Sequence, residues 1–142
     1  MFEGCKNLIA TPALPAITLT GSCYRNMFYG CISLTTVTSL PATTLASYCY
    51  YKMFYGCKSL SSVPILPAAI LENYCYYQMF RSCASLNKIT CLATDNYAND
   101  CTYQWLSQVA SSGTFIKHPD MTSWKRSVSG IPSAWTVEDA EL

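Results

Sequence analysis

The chain has 142 residues, about one domain, of which 51% are hydrophobic and 12% charged, and its net charge is +1. That hydrophobic share excludes a disordered chain. The absence of a basic run or an acidic tail removes the electrostatic case for nucleic acid or an anionic membrane surface as partner. No apolar run approaches the roughly 20 residues that span a bilayer. No charged n-region followed by an apolar h-region marks a signal peptide.

The chain opens on MFEGCKNLIATPALPAITLTGSCYRN, the first of four copies of one pattern, at residues 1–26, 27–52, 53–78 and 79–104. The second and third copies, MFYGCISLTTVTSLPATTLASYCYYK and MFYGCKSLSSVPILPAAILENYCYYQ, agree at 16 of 26 positions. A fixed period of this size marks stacked repeats, each contacting only its neighbours. Met1 and Phe2 stand where every later copy has Met-Phe. The expectation is a fragment of a longer protein, or a chain without its leader.

Aligning the copies gives columns. Met1, Met27, Met53 and Met79 are continued by Trp105, and Phe2, Phe28, Phe54 and Phe80 run beside them. Two cysteine columns follow, Cys5, Cys31, Cys57, Cys83 and Cys23, Cys49, Cys75, Cys101, with leucines between them at Leu8, Leu34, Leu60 and Leu86. Stacked equivalents would lie about 4.8 Å apart, the inter-strand spacing. At that spacing like charges repel, and no column of the four copies holds like charges in adjacent copies. The low charge content is then a consequence of stacking.

Within each copy, Leu34 to Pro41 reads as a short strand. Pro12 and Pro64 are expected to face outward, because a ladder excludes proline except where its missing N–H points away. Gly4, Gly30 and Gly56 read as turns. Ser47 to Phe54 fits either a short helical turn or a second extended edge, being too short to show its period. After Gln104 the pattern stops. Trp105, Leu106 and Val109 predict one face of a helix over residues 99–111, capped by Asp95 or Asn96 and ended by Gly113. Strands follow at residues 113–117 and 135–137, with a turn at Gly130. Trp105, Phe115, Trp124 and Trp135 would shield the last copy.

The chemistry-bearing residues are few. No CxxC occurs among the nine cysteines, and the closest are eight residues apart; a structural zinc site wants closer ligands. Parallel Cβ vectors in adjacent coils are poor disulfide geometry, so the columns read as buried free thiols packing as small hydrophobes. His118 is the single histidine. A nucleophile, base and orienter could be drawn from Cys101, His118 and Asp120, but no turn motif surrounds the cysteine. Asp95, Asn99 and Asp100 lack calcium-loop spacing. No catalytic residue, metal ligand or cofactor is assigned.

Two surfaces remain as candidate partner sites. One is tyrosine-rich: Tyr48, Tyr50 and Tyr51, then Tyr74, Tyr76 and Tyr77. Alternate side chains around Cys49 and Cys75 would point outward on an extended backbone, and exposed tyrosine suits a binding surface. The competing reading is an internal ladder of stacked rings. The other surface is the flat, neutral strand face at Thr36, Thr38, Ser62, Lys88 and Thr90.

Phe54-Tyr55-Gly56-Cys57, Ser59-Leu60 and Val63 to Pro67 resemble the repeat of BspA-like leucine-rich proteins of bacterial surfaces, and the period of 26 fits that class, at about 20 to 29 residues. The resemblance covers residues 1–104. The chain departs from it in having Cys49 or Cys75 where the family has Ile-Gly, and Met-Phe where it has Ala-Phe, as in a Cys- and Tyr-rich branch. The ending SGTFIKHPDMTSW…GIPSAWTVEDA is similar to tails that follow such repeats in gut-bacterial and phage-derived proteins. The resemblance implies a right-handed leucine-rich-repeat solenoid over 1–104. Parallel strands would line one face and short irregular or helical turns the other, with a small mixed α/β cap over 105–142. It also implies a non-catalytic adhesion or binding module, extracellular or at the cell surface, with a host or bacterial protein or glycan as partner. The chain would be a monomer, with an oligomer as the alternative. The alternative is a structural spacer or tail segment of a larger bacterial or phage protein.

Overall fold

A computed structural model of the chain describes all 142 residues. It corrects the expected fold class. The chain has no helix, and its only strands are three short ones, β1 (Lys88–Cys91), β2 (Thr114–Lys117) and β3 (Thr136–Asp139). They form one open parallel sheet in the order β1-β2-β3. A leucine-rich-repeat solenoid with a continuous strand face, helical turns and a mixed α/β cap is therefore not what this sequence builds.

The reason lies in where the backbone hydrogen bonds go. From Ser22 to Gly30 the even-numbered residues donate to the next copy: Ser22 N–H to Ser47 O, Tyr24 to Cys49, Asn26 to Tyr51, Phe28 to Met53 and Gly30 to Tyr55, at 2.7–3.0 Å. The odd-numbered residues donate three positions back, as Arg25 does to Ser22 O and Met27 to Tyr24 O. The alternation repeats at residues 48–57 and 74–83. A helix needs every N–H to reach back four residues within its own segment. Here half the donors lie along the stacking direction, so the segment is a run of turns.

Those turns use left-handed residues at every fourth position. Tyr48, Lys52 and Gly56 have φ of 61°, 50° and 75°, and Tyr74, Gln78 and Ser82 have 59°, 47° and 63°. A non-glycine residue there costs about 1–2 kcal/mol, a cost offset by the inter-copy bonds it aims. The same device removes the helix expected over 99–111. Asp100, Gln104 and Gln108 are left-handed at 47°, 47° and 60°, and Leu106 N–H leaves its own segment for Val128 O. With no helix to cap, Asp95 only accepts from the Tyr97 N–H at 3.5 Å.

The strand expected at Leu34 to Pro41 is reduced to an isolated bridge between Ala10 and Thr36. Pro12 supplies no N–H, and the Thr11 side chain takes over beside it. Thr38 N–H donates to Thr11 Oγ1 at 3.0 Å and Thr38 Oγ1 donates to Thr11 O at 2.9 Å. Pro12 is exposed, whereas Pro64 is half-buried. The fourth copy has no proline in this segment, and there β1 forms. Lys88 pairs with Thr114, 26 residues on, and Thr114 with Thr136, 22 on. Backbone stacking thus continues beyond Gln104 although the side-chain pattern does not. Gly113 lets it do so: a Cβ there would lie 2.5 Å from Asn87 O and 2.7 Å from the Trp135 ring.

The core is a single cluster of 33 buried residues running the length of the stack, so no copy could bury its apolar face alone. Its spine is two ring ladders. Phe2, Phe28, Phe54 and Phe80 stack at centroid spacings of 5.4, 5.6 and 5.8 Å. Tyr24, Tyr50 and Tyr76 stack at 5.8 Å. Trp105 ends both, stacked on Tyr76 at 5.6 Å and tilted against Phe80 at 6.4 Å. Trp124 and Phe115 close over it.

Candidate functional site

The tyrosine surface divides into inner and outer rings. A left-handed residue every four positions produces a two-in, two-out alternation: Cys49 and Tyr50 are buried, Tyr51 and Lys52 half-buried, Met53 and Phe54 buried, Tyr55 and Gly56 half-buried. Tyr50 and Tyr76, expected to point outward beside their cysteines, are 2% and 1% exposed. They belong to the core ladder and cannot meet a partner. The expectation failed because it assumed the period of two of an extended strand. Burial raises the pKa of both phenols, with charge on neighbouring groups a lesser cause.

Tyr48, Tyr51, Tyr74 and Tyr77 are half-buried and form two outer ladders. Tyr48 stacks on Tyr74 at 4.7 Å and Tyr51 on Tyr77 at 4.8 Å, and Tyr77 continues to Tyr103 at 5.0 Å. Within a copy the two ladders touch at a tilt, 5.4 Å between Tyr48 and Tyr51 and 5.9 Å between Tyr74 and Tyr77. A third outer pair, Tyr29 on Tyr55, stacks at 4.7 Å. Arginines end two of these rows. The Arg25 guanidinium lies 4.6 Å over Tyr51 and the Arg81 guanidinium 5.9 Å over Tyr55, within cation–π range. Tyr103, Arg25 and Arg81 lie outside the expected tyrosine surface, yet the columns hold the signal. Arg25 stands 26 positions before Tyr51, and Arg81 26 after Tyr55.

On the strand face Thr36, Thr38, Ser62 and Lys88 are exposed and Thr90 is half-buried. Ser62 bridges Lys88, and a shallow groove of about 290 Å³ runs past Thr36, Ser62 and Pro64. No hydrogen bond or ring contact joins this face to the tyrosines, so the two candidate surfaces remain separate.

The cysteine columns are inside. Cys31, Cys57 and Cys83 are fully buried, and each thiol donates to the Phe carbonyl of the preceding copy: Phe2 O at 3.0 Å, Phe28 O at 3.2 Å and Phe54 O at 3.0 Å. Burial pushes Cys49, Cys57 and Cys91 up from 9.0 to about 12. The thiolate is the reactive form, so these sulfurs are inert at neutral pH. No cysteine is in a disulfide, and only Cys5 and Cys23 are exposed. We expect two thiols to react in the native protein and nine under denaturing, non-reducing conditions; a denatured count near one would refute the free-thiol columns.

The remaining polar residues serve the fold. Cys101 donates to Asn96 O at 3.6 Å, while His118 Nδ1 accepts from the Asp120 N–H at 3.0 Å. No helix is long and apolar enough to cross a membrane. Comparison with protein-family models, curated proteins and solved structures finds no match to the chain.

Proposed function

We propose that the chain is a non-catalytic structural segment, a spacer or tail element of a larger bacterial or phage protein, extracellular or at a cell surface. One observation carries this reading: the tyrosines that could have formed a binding surface stack on their equivalents in the next copy. Their ring faces are used in holding the copies together. The placement outside the cell follows from the resemblance of Phe54 to Pro67 to BspA-like surface proteins.

A second reading, adhesion to a protein or glycan, is favoured by a different observation. No tyrosine hydroxyl makes a hydrogen bond within the chain. Stacking also holds the outer rings rigid, which lowers the ordering cost of binding. A glycan and matrix-protein array separates the two. The structural reading expects silence. A hit that disappears in the double variant Tyr51→Phe and Tyr77→Phe, which keeps the stacks but removes the hydroxyls, overturns it in favour of adhesion.

A further inference from the structure

The outer tyrosines carry hydroxyls that the stack does not use. Ring packing alone is met by phenylalanine, as the inner ladder of Phe2, Phe28, Phe54 and Phe80 shows. Yet the outer rows, Tyr29 with Tyr55, Tyr48 with Tyr74, and Tyr51 with Tyr77 and Tyr103, are all phenols, and none of their hydroxyls makes a hydrogen bond within the chain. Neighbours in each row lie 4.7–5.0 Å apart between centroids, with ring planes 9–25° from parallel. Their backbone positions are equivalent, so each ring carbon beside a hydroxyl faces its counterpart across about the same gap. The rings are at most half-buried and their outer ends are unheld, which leaves them free to tilt and close that gap. Two arginines limit the choice of neighbour. Arg25 lies over Tyr51 and Arg81 over Tyr55, so Tyr77 is the only ring stacked on Tyr51 and Tyr29 the only one stacked on Tyr55. The inner tyrosines differ: Tyr24, Tyr50 and Tyr76 are spaced at 5.8 Å, and Tyr50 and Tyr76 are closed off from solvent.

Paired, accessible phenols have a reaction that a solitary tyrosine lacks. A one-electron oxidant removes an electron from each of two neighbouring phenols, and each hydroxyl loses its proton. The two radicals join through the ring carbons beside their oxygens. The hydrogen on each joined carbon then moves to the oxygen and restores the phenol. Hydrogen peroxide, acting through a haem peroxidase, takes up the two electrons and two protons and leaves as two waters. We propose that the outer tyrosine rows are an oxidative crosslinking site, with a peroxidase-type oxidant as co-reactant and dityrosine between adjacent copies as product. Each link closes a loop of about one period in the unfolded chain, and so fastens coil to coil. The proposal rests on the structural reading above, since the links form where rings already hold the copies together.

The test treats the dilute full chain, its exposed Cys5 and Cys23 alkylated beforehand, with hydrogen peroxide and a haem peroxidase. Peptide mass spectrometry is expected to find links, each lighter by H2, between Tyr29 and Tyr55, between Tyr48 and Tyr74, and from Tyr77 to either Tyr51 or Tyr103. The chain stays a single-chain band on a denaturing gel, and its urea midpoint rises. Tyr50 and Tyr76, buried, and Tyr97, 81% exposed with no ring against it, stay unlinked. The double variant Tyr51→Phe and Tyr77→Phe keeps the stacks, loses every link of that row and retains the other two pairs. Links mainly between molecules, links at Tyr97, links mainly within one copy, or no dityrosine fluorescence after the peroxide is consumed would each overturn the site. An array hit bears only on the structural reading, and absent links bear only on the crosslinking, so the two can fail separately.

Discussion

Trp105→Ala is expected to lower the unfolding free energy by about 4 kcal/mol, within the range for deleting a large buried aromatic. Trp105 is fully buried. It takes the position that Met holds in the four preceding copies, and there it ends both ring ladders. It stacks on Tyr76 on one side and on Trp124 at 5.4 Å on the other, with Phe115 edge-on at 6.0 Å. Its indole N–H donates to Gly130 O at 2.8 Å, which ties the last turns of the chain to the stack. Truncation therefore opens a cavity and strips a buried carbonyl of its donor. Trp105→Phe keeps most of the ring contact and loses the bond, so its cost should fall to roughly 1–3 kcal/mol. Tyr97→Ala, at an 81% exposed residue, should stay within about 0.5 kcal/mol of the parent. Urea unfolding followed by far-ultraviolet circular dichroism gives all three values. A loss below about 1 kcal/mol for Trp105→Ala would contradict the role of the residue as the closing ring.

Alkaline pH should unfold the chain through its buried thiols. Burial raises Cys49, Cys57 and Cys91 to about 12, and it raises Cys75 and Cys83 well above 9.0. Below the unfolded value of 9.0 these thiols are protonated in both states, and stability does not depend on them. Above it the unfolded chain releases protons that the folded chain retains, so stability falls as pH rises towards the folded values. At pH 10 Cys49, Cys57 and Cys91 each favour the unfolded state by about 1.4 kcal/mol, or about 4 kcal/mol for the three, and Cys75 and Cys83 act in the same direction. A domain has about 5–15 kcal/mol in total, so unfolding is expected between about pH 9.5 and 11. Tyr50 and Tyr76 act in the same direction, since burial raises them too. The urea midpoint measured against pH, with thiolate absorbance recorded alongside, tests this. A midpoint constant to pH 11 would refute it.

Much of the core could be read from the columns, because stacking sets each residue beside its equivalent 26 positions on. Phe28, Phe54 and Phe80, Leu34 and Leu60, and Cys31, Cys57 and Cys83 are all fully buried. The tyrosine ladders and their arginine ends obey the same rule. Tyr50 and Tyr76 did not follow the reading, and neither did the helix over 99–111. Both expectations took a standard period, two for a strand or 3.6 for a helix. The backbone instead has a left-handed residue every fourth position, at Tyr48 and Lys52 and again at Asp100 and Gln104. Tyr, Lys and Gln do not announce a positive φ. Glycine at Gly4, Gly30 and Gly56 does, and there the turn was legible.

By itself the sequence determined the period, the equivalence of positions and the identity of the rings and thiols in each column, since all three depend only on residue spacing. The tertiary structure decided the path of the backbone between equivalent positions. Left-handed turns are unfavourable for a lone 26-residue segment. They persist because each one aims an N–H at a carbonyl of the neighbouring coil, and that carbonyl is present only once the coils have stacked.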